Sequence, residues 1–207
     1  LVEIAHRHGA QVVVDDAHGI GTVGPTGRGA TEELTASQRP DVLLGTASKA
    51  LGVEGGFACV DETLATLMRN CARGYVFSSA PSPVVAAGVA AAVEYLRTDT
   101  RRVCSLQANV AQARLLLAEA DLIPPSAAHD RGPIIRIPVG PESRAVAAQE
   151  ELARRGLMVG AIRYPAVARG DAILRICLTA RHTDEHIRIL VTSLREVLDG
   201  ALSDAPR

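Results

Sequence analysis

The segment Asp15-Asp16-Ala17-His18-Gly19-Ile20-Gly21-Thr22-Val23-Gly24-Pro25-Thr26-Gly27-Arg28-Gly29 (DDAHGIGTVGPTGRG) follows the apolar run Val12-Val13-Val14, and its reading decides the fold. It contains G-x-G-x-x-G, the glycine spacing of a dinucleotide-binding turn. That fingerprint needs the glycines to lead straight from a strand into a helix whose N-terminal amides hold a pyrophosphate. Here Gly24 is followed by Pro25, Gly27 and Gly29, and each glycine costs up to about 1 kcal/mol in a helix interior relative to alanine. The segment therefore reads as a loop at the carboxyl end of a strand, and nicotinamide and flavin cofactors are set aside.

Working outward, the first half alternates strand and helix signals. A helix ends at Gly9, apolar strands fall at 11–14 and 42–45, and a third apolar segment lies at 56–60. A helix is expected over 62–73, a short strand over 75–78, and a long alanine-rich helix from Ser82, broken near 98–100 and ending about Ala120. The fully apolar run 84–93 reads as a buried helix, since it is far below the roughly 18 residues of a membrane span. Beyond Pro125 the order strand, helix, strand, strand, helix suits a small α+β domain. The expected architecture is α/β: a partial large domain with a mostly parallel sheet over residues 1–100, then the small domain over 101–207.

Composition bounds the function. The 207 residues are 47% hydrophobic with a net charge of −1, enough for a globular core and without the field that attracts nucleic acid or an anionic membrane. Neither partner is expected. Four scattered cysteines without a C-x-x-C pair read as buried thiols in a reducing cytoplasm. His182 and His186 have a zinc-like spacing, but Thr183 with Asp184 and Glu185 explains them as an ordinary helix start, so no metal is expected.

In open α/β sheets ligands gather beyond the carboxyl ends of the strands. Asp15, Asp16 and His18 stand at one such end, and the strand 42–45 runs into Thr46-Ala47-Ser48-Lys49 at the next. An acid, an amine, small hydroxyls and a histidine are the parts of a pyridoxal phosphate site: the amine bonds the cofactor covalently, the acid keeps the ring nitrogen protonated, and hydroxyls receive the phosphate. Taken singly, each residue also has an ordinary reading as a surface charge, a turn cap or a metal ligand.

The runs VVVDDAHGIGTVGPTGRG, GTASKALG, YVFSSAPSP and AIRYPAVARGDAILRICLTARHT occur in that order, and with them the chain resembles the α-oxoamine synthases, fold-type I enzymes that use pyridoxal 5′-phosphate (PLP). The resemblance spans nearly all 207 residues. It implies that Lys49 bonds the cofactor, Asp15 pairs with the pyridine nitrogen, His18 contacts the phenolic oxygen and Thr46 binds the phosphate. It further implies that Arg175 clamps the amino-acid carboxylate, for which a guanidinium fork is suited, and that Ser79, with Ser78 nearby, reaches the phosphate of a neighbouring subunit in a homodimer. The implied reaction is a decarboxylative condensation of L-alanine with a pimeloyl thioester, on coenzyme A or a carrier protein, giving 8-amino-7-oxononanoate in biotin synthesis. Glycine C-acetyltransferase chemistry and a non-catalytic fragment are the alternatives.

Two departures from the family bear on these expectations. Tyr164-Pro165-Ala166 stands where the family often has Pro-Pro-Thr, which removes a hydroxyl near the substrate. Family chains are nearly twice as long, with the extra length before Leu1, so the expectation is a C-terminal half that alone binds cofactor poorly and turns over little.

Overall fold

The β-branched residues before Asp15 extend as β1 (Val13–Asp15), parallel to β2 (Val42–Thr46), with Asp15 opposite Leu44. The structure, a computed structural model, describes residues 1–203, with side chains through Gly200. The chain divides into two units, Leu1–Val103 and the portion from Cys104 onward.

In the first unit α1 (Val2–Arg7) precedes β1, and β3 (Gly56–Cys59) completes a sheet of order β1-β2-β3. The expected mostly parallel sheet is parallel only between β1 and β2. β3 runs antiparallel to β2, with Thr46 opposite Gly56, because the connection 47–55 is shorter than the dozen or more residues a parallel crossover needs. Two helices then begin at side-chain caps: the Asp61 carboxylate accepts the Leu64 N–H at 2.8 Å to start α2 (Glu62–Cys71). The Ser82 hydroxyl accepts the Val85 N–H at 3.3 Å to start α4 (Pro83–Thr98), with Pro83 at the first helical position.

Three expectations fail in this unit or extend beyond it. The strand expected over 75–78 is instead α3 (Arg73–Val76). The Tyr75 and Val76 N–H groups bond to the Ala72 carbonyl, both at 2.9 Å, so the strand-favouring side chains close a helical turn locally. The run 84–93 is helical but not buried: α4 has no buried residue, and Val84 is 82% exposed. Apolar composition reports that a face is cheap to cover; it does not supply the cover. The cysteines, expected to be buried, are all free and exposed: Cys59 and Cys71 lie in β3 and α2, which bury no residue, and Cys177 ends β6 on the face opposite its buried residues.

The hydrophobic core lies in the second unit. After α5 (Arg101–Glu119), the strands β4 (Ile134–Gly140), β5 (Gly160–Ile162) and β6 (Ala172–Cys177) form an antiparallel sheet of order β4-β6-β5, backed by α6 (Glu142–Arg154) and α7 (Asp184–Ser203). The order of strands and helices read from the sequence is the order found. Strand alternation turns Ile135, Ile137 and Val139 of β4 and Leu174 and Ile176 of β6 inward. They pack with Leu117, Leu152, Ile187 and Leu194, each such burial contributing about 1.5–3 kcal/mol. Thr183 caps α7 as expected, its hydroxyl accepting the His186 N–H at 3.3 Å.

Arg114 of α5 is buried and anchors the chain entering β4. Its guanidinium donates to the carbonyls of Ala127, Gly132 and Ile134 at 3.0–3.1 Å and lies 3.4 Å from the Asp130 carboxylate.

Candidate active site

The glycine-rich segment is a loop, as its sequence requires, and its glycines serve loop closure. Gly21, Gly24, Gly27 and Gly29 all have φ between 81° and 98°, where a side chain is strained. Asp16, treated in the sequence only as a companion of Asp15, is the buried centre of this loop. Its Oδ2 accepts the Ala30 N–H at 2.9 Å, and a Cβ on Gly19 or Gly29 would lie about 2 Å from its carboxylate oxygens. Burial pushes the Asp16 carboxyl above its ordinary value; hydrogen bonds from Ala30 and Gly19 partly oppose this, and the neighbouring Asp15 charge adds to it. Glu32 gathers the Thr26 and Arg28 N–H groups and the Thr26 hydroxyl. Burial alone would raise its carboxyl, but these bonds and Arg28 outweigh it and hold the value down.

The same loop touches the segment that carries Lys49. A methyl group on Gly21 would stand 2.4 Å from the Ala50 Cβ. The Lys49 segment is held at its ends, where the Ala47 N–H bonds to the Gly55 carbonyl at 2.9 Å and the Val53 N–H to the Ala47 carbonyl at 2.8 Å, and by the buried Ala47 and Leu51. Lys49 is exposed between these anchors. It is the only lysine in the 207 residues.

Asp15 and Thr46, ending adjacent strands, line one cleft of about 890 Å³ together with Phe57, Met68, Arg69 and Tyr75. That is room enough for a cofactor-sized ligand. One Asp15 oxygen accepts the Ala17 N–H at 3.0 Å. The Thr46 hydroxyl donates to the Gly55 carbonyl at 3.0 Å and lies 2.8 Å from the Ser48 hydroxyl. Lys49 and His18 are exposed and are not among the residues lining this cleft. Ser79 is exposed in the segment after α3, and Arg175 is half-buried on β6 of the second unit.

An acid and a hydroxyl in one cleft of this size suit the polar ends of PLP, and the lysine of the chain follows Thr46 by three residues. The family model for aminotransferase class I and II matches residues 1–194. The chain belongs to that family. It is 99% identical to the biotin biosynthesis bifunctional protein BioWF of Cutibacterium acnes, over all of this chain and 32% of that protein. It is 42% identical to an 8-amino-7-oxononanoate synthase of Halorhodospira halophila, over all of this chain and 50% of the synthase. A solved structure of serine palmitoyltransferase from S. paucimobilis with bound PLP–myriocin aldimine matches with a TM-score of 0.87 and 26% identity, covering 98% of this chain and 50% of that one. This aminotransferase-family chain has the fold-type I architecture, and it spans a third to a half of the length of these relatives.

Arg69 and Tyr75 of the cleft, and the anchors Asp16 and Glu32, escaped the sequence reading. The wrong strand assignment at 75–78 hid Tyr75, and burial alone distinguishes Asp16 from Asp15.

Proposed function

We propose that the protein condenses L-alanine with a pimeloyl thioester, releasing the thiol and carbon dioxide and giving 8-amino-7-oxononanoate for biotin synthesis, with PLP as cofactor. One observation carries this reading: the only lysine of the chain lies three residues beyond Thr46, which shares a cleft with Asp15. The names of the Cutibacterium and Halorhodospira relatives support the substrate pair, and the PLP held by the palmitoyltransferase supports the cofactor.

When bound, the cofactor supplies an electron sink for a carbanion at the amino-acid Cα. Asp15, already oriented by the Ala17 N–H, is the group that keeps the ring nitrogen protonated. Lys49 would hold the cofactor, and its amine, when free, would move the Cα proton. His18 would orient the phenolic oxygen, Thr46 would receive the phosphate, and Arg175 would grip the amino-acid carboxylate. Ser79 completes the phosphate site of a second copy in a homodimer; the exposed Tyr75, Phe77 and Val84 beside it support a protein-covered surface there. A cytoplasmic location is proposed with it, supported by four free thiols.

The test is product formation by the Cutibacterium relative, which is 99% identical to this chain over its whole length. L-Alanine with pimeloyl-CoA should give the oxononanoate by mass spectrometry, and Lys49→Ala should give none. Turnover only with glycine and acetyl-CoA, or undiminished turnover in the Lys49 variant, would reject the reading.

A further inference from the structure

Arg175 has a neighbour of the same charge. In the β4–β6 ladder Arg136 lies directly opposite Arg175. Alternation along both strands turns the two side chains to the face away from the core, since Ile135, Ile137, Leu174 and Ile176 take the buried face. Paired side chains of this kind start from Cβ atoms about 4.5–5.5 Å apart. On its other side Arg175 meets Gly160 of β5, which presents no side chain. The remaining pairs on this face, Ile134 with Cys177 and Pro138 with Ile173, bring no negative charge.

Like charges directly opposite one another destabilise a sheet. Among the described residues no carboxylate or carbonyl accepts a hydrogen bond from either guanidinium. Other arginines of this chain are matched by carboxylates, Arg155 with Glu151 and Glu196 and Arg101 with Asp99; what sets Arg136 and Arg175 apart is that they face each other across one ladder. Two adjacent, uncompensated guanidinium forks make a receptor for a carboxylate, whose two oxygens can accept from both.

We propose that Arg136 and Arg175 together form a two-armed carboxylate site, with Arg136 as a second binding residue for the carboxylate of the amino-acid substrate. This rests on the function proposed above, which assigns only Arg175 to that carboxylate. Arg136 adds charge-assisted hydrogen bonds to the same anion, and the anion in turn relieves the repulsion across the strands. The pair therefore favours amino acids over amines of the same skeleton.

The experiment uses the PLP-loaded Cutibacterium relative and its Arg136→Gln and Arg136→Lys variants, titrated with L-alanine and, separately, with L-alaninol, which lacks the carboxylate. Cofactor absorbance reads binding, and circular dichroism checks that each variant is folded. The site predicts an alanine dissociation constant raised about tenfold or more in Arg136→Gln, since each tenfold is about 1.4 kcal/mol and a charged hydrogen bond contributes about that much. It predicts partial recovery in Arg136→Lys, no change for alaninol, and an unchanged KM for the acyl thioester. An alanine affinity within twofold of the unsubstituted protein, an equal loss for alaninol, or a change that falls on the thioester KM overturns the two-armed site while leaving the proposed function standing. An unsubstituted protein that does not respond to alanine at all overturns both.

Discussion

The Asp16 carboxylate accepts the Ala30 N–H at 2.9 Å, and this bond closes the loop that begins beyond Asp15 and ends beyond Gly29. Burial raises the Asp16 carboxyl above its ordinary 3.8, so the folded state holds this proton more tightly than the unfolded chain. The contribution of Asp16 to stability is therefore greatest at low pH and declines as pH rises from about 3.8 through the raised folded value. Urea unfolding across this range, with Asp16→Asn subtracted from the parent, should show a difference that falls with rising pH. A flat or rising difference would contradict the assignment.

Glu32 should behave with the opposite sign. Its carboxyl is held below 4.5 by Thr26 and Arg28 against the effect of burial, so its stabilisation is present above 4.5 and is lost as pH falls through the lower folded value. Glu32→Ala leaves the Thr26 and Arg28 N–H groups without this acceptor and should cost about 1–3 kcal/mol near neutral pH. The urea midpoint reads this directly, and a midpoint unchanged by the substitution would remove Glu32 as the loop's clamp.

Gly21 and Gly52 separate backbone strain from contact. Both have positive φ, 81° and 67°, where an alanine costs about 1–2 kcal/mol. A Cβ at Gly52 meets nothing within 4 Å, whereas one at Gly21 lies 2.4 Å from Ala50. Gly21→Ala should therefore lower stability more than Gly52→Ala and should also weaken PLP uptake, because it displaces the residue next to Lys49. Equal effects of the two substitutions on both readouts would show that the loops do not press on each other.

The two units should respond differently to truncation of an apolar side chain. Leu194 is 0% exposed and Val84 is 82% exposed. Leu194→Ala should cost about 2–5 kcal/mol and Val84→Ser less than about 0.5 kcal/mol in the isolated chain. A large cost at Val84 would mean that α4 packs its apolar face within the chain.

Much of this was legible in the sequence, and the reasons for the rest are physical. The apolar runs located every strand of the second unit, and in β4 and β6 one face is buried so that alternation is enforced; β5 is short and half-buried throughout. Local chemistry located the cap at Thr183 and the start of the alanine-rich helix at Ser82. The 75–78 segment was misread because aromatic and β-branched side chains favour a strand only when a neighbour offers a ladder, and Ala72 offered a helical turn first. The exposure of α4 and of the cysteines depends on what covers a face, which composition does not encode. Asp15 and Asp16 are alike as letters; only the fold turns one into the cleft and the other into the loop. Arg136 lay within reach of the strand alternation, on the face opposite Ile135 and Ile137, but its pairing with Arg175 needed the register.

The central claim is that the amine of Lys49 holds the cofactor. Borohydride reduction of the PLP-loaded Cutibacterium relative, followed by proteolysis and mass spectrometry, should find a single pyridoxyl group on the peptide carrying the residue that matches Lys49, and none after Lys49→Ala. A pyridoxyl group on any other amine, or one that persists in the alanine variant, would contradict it.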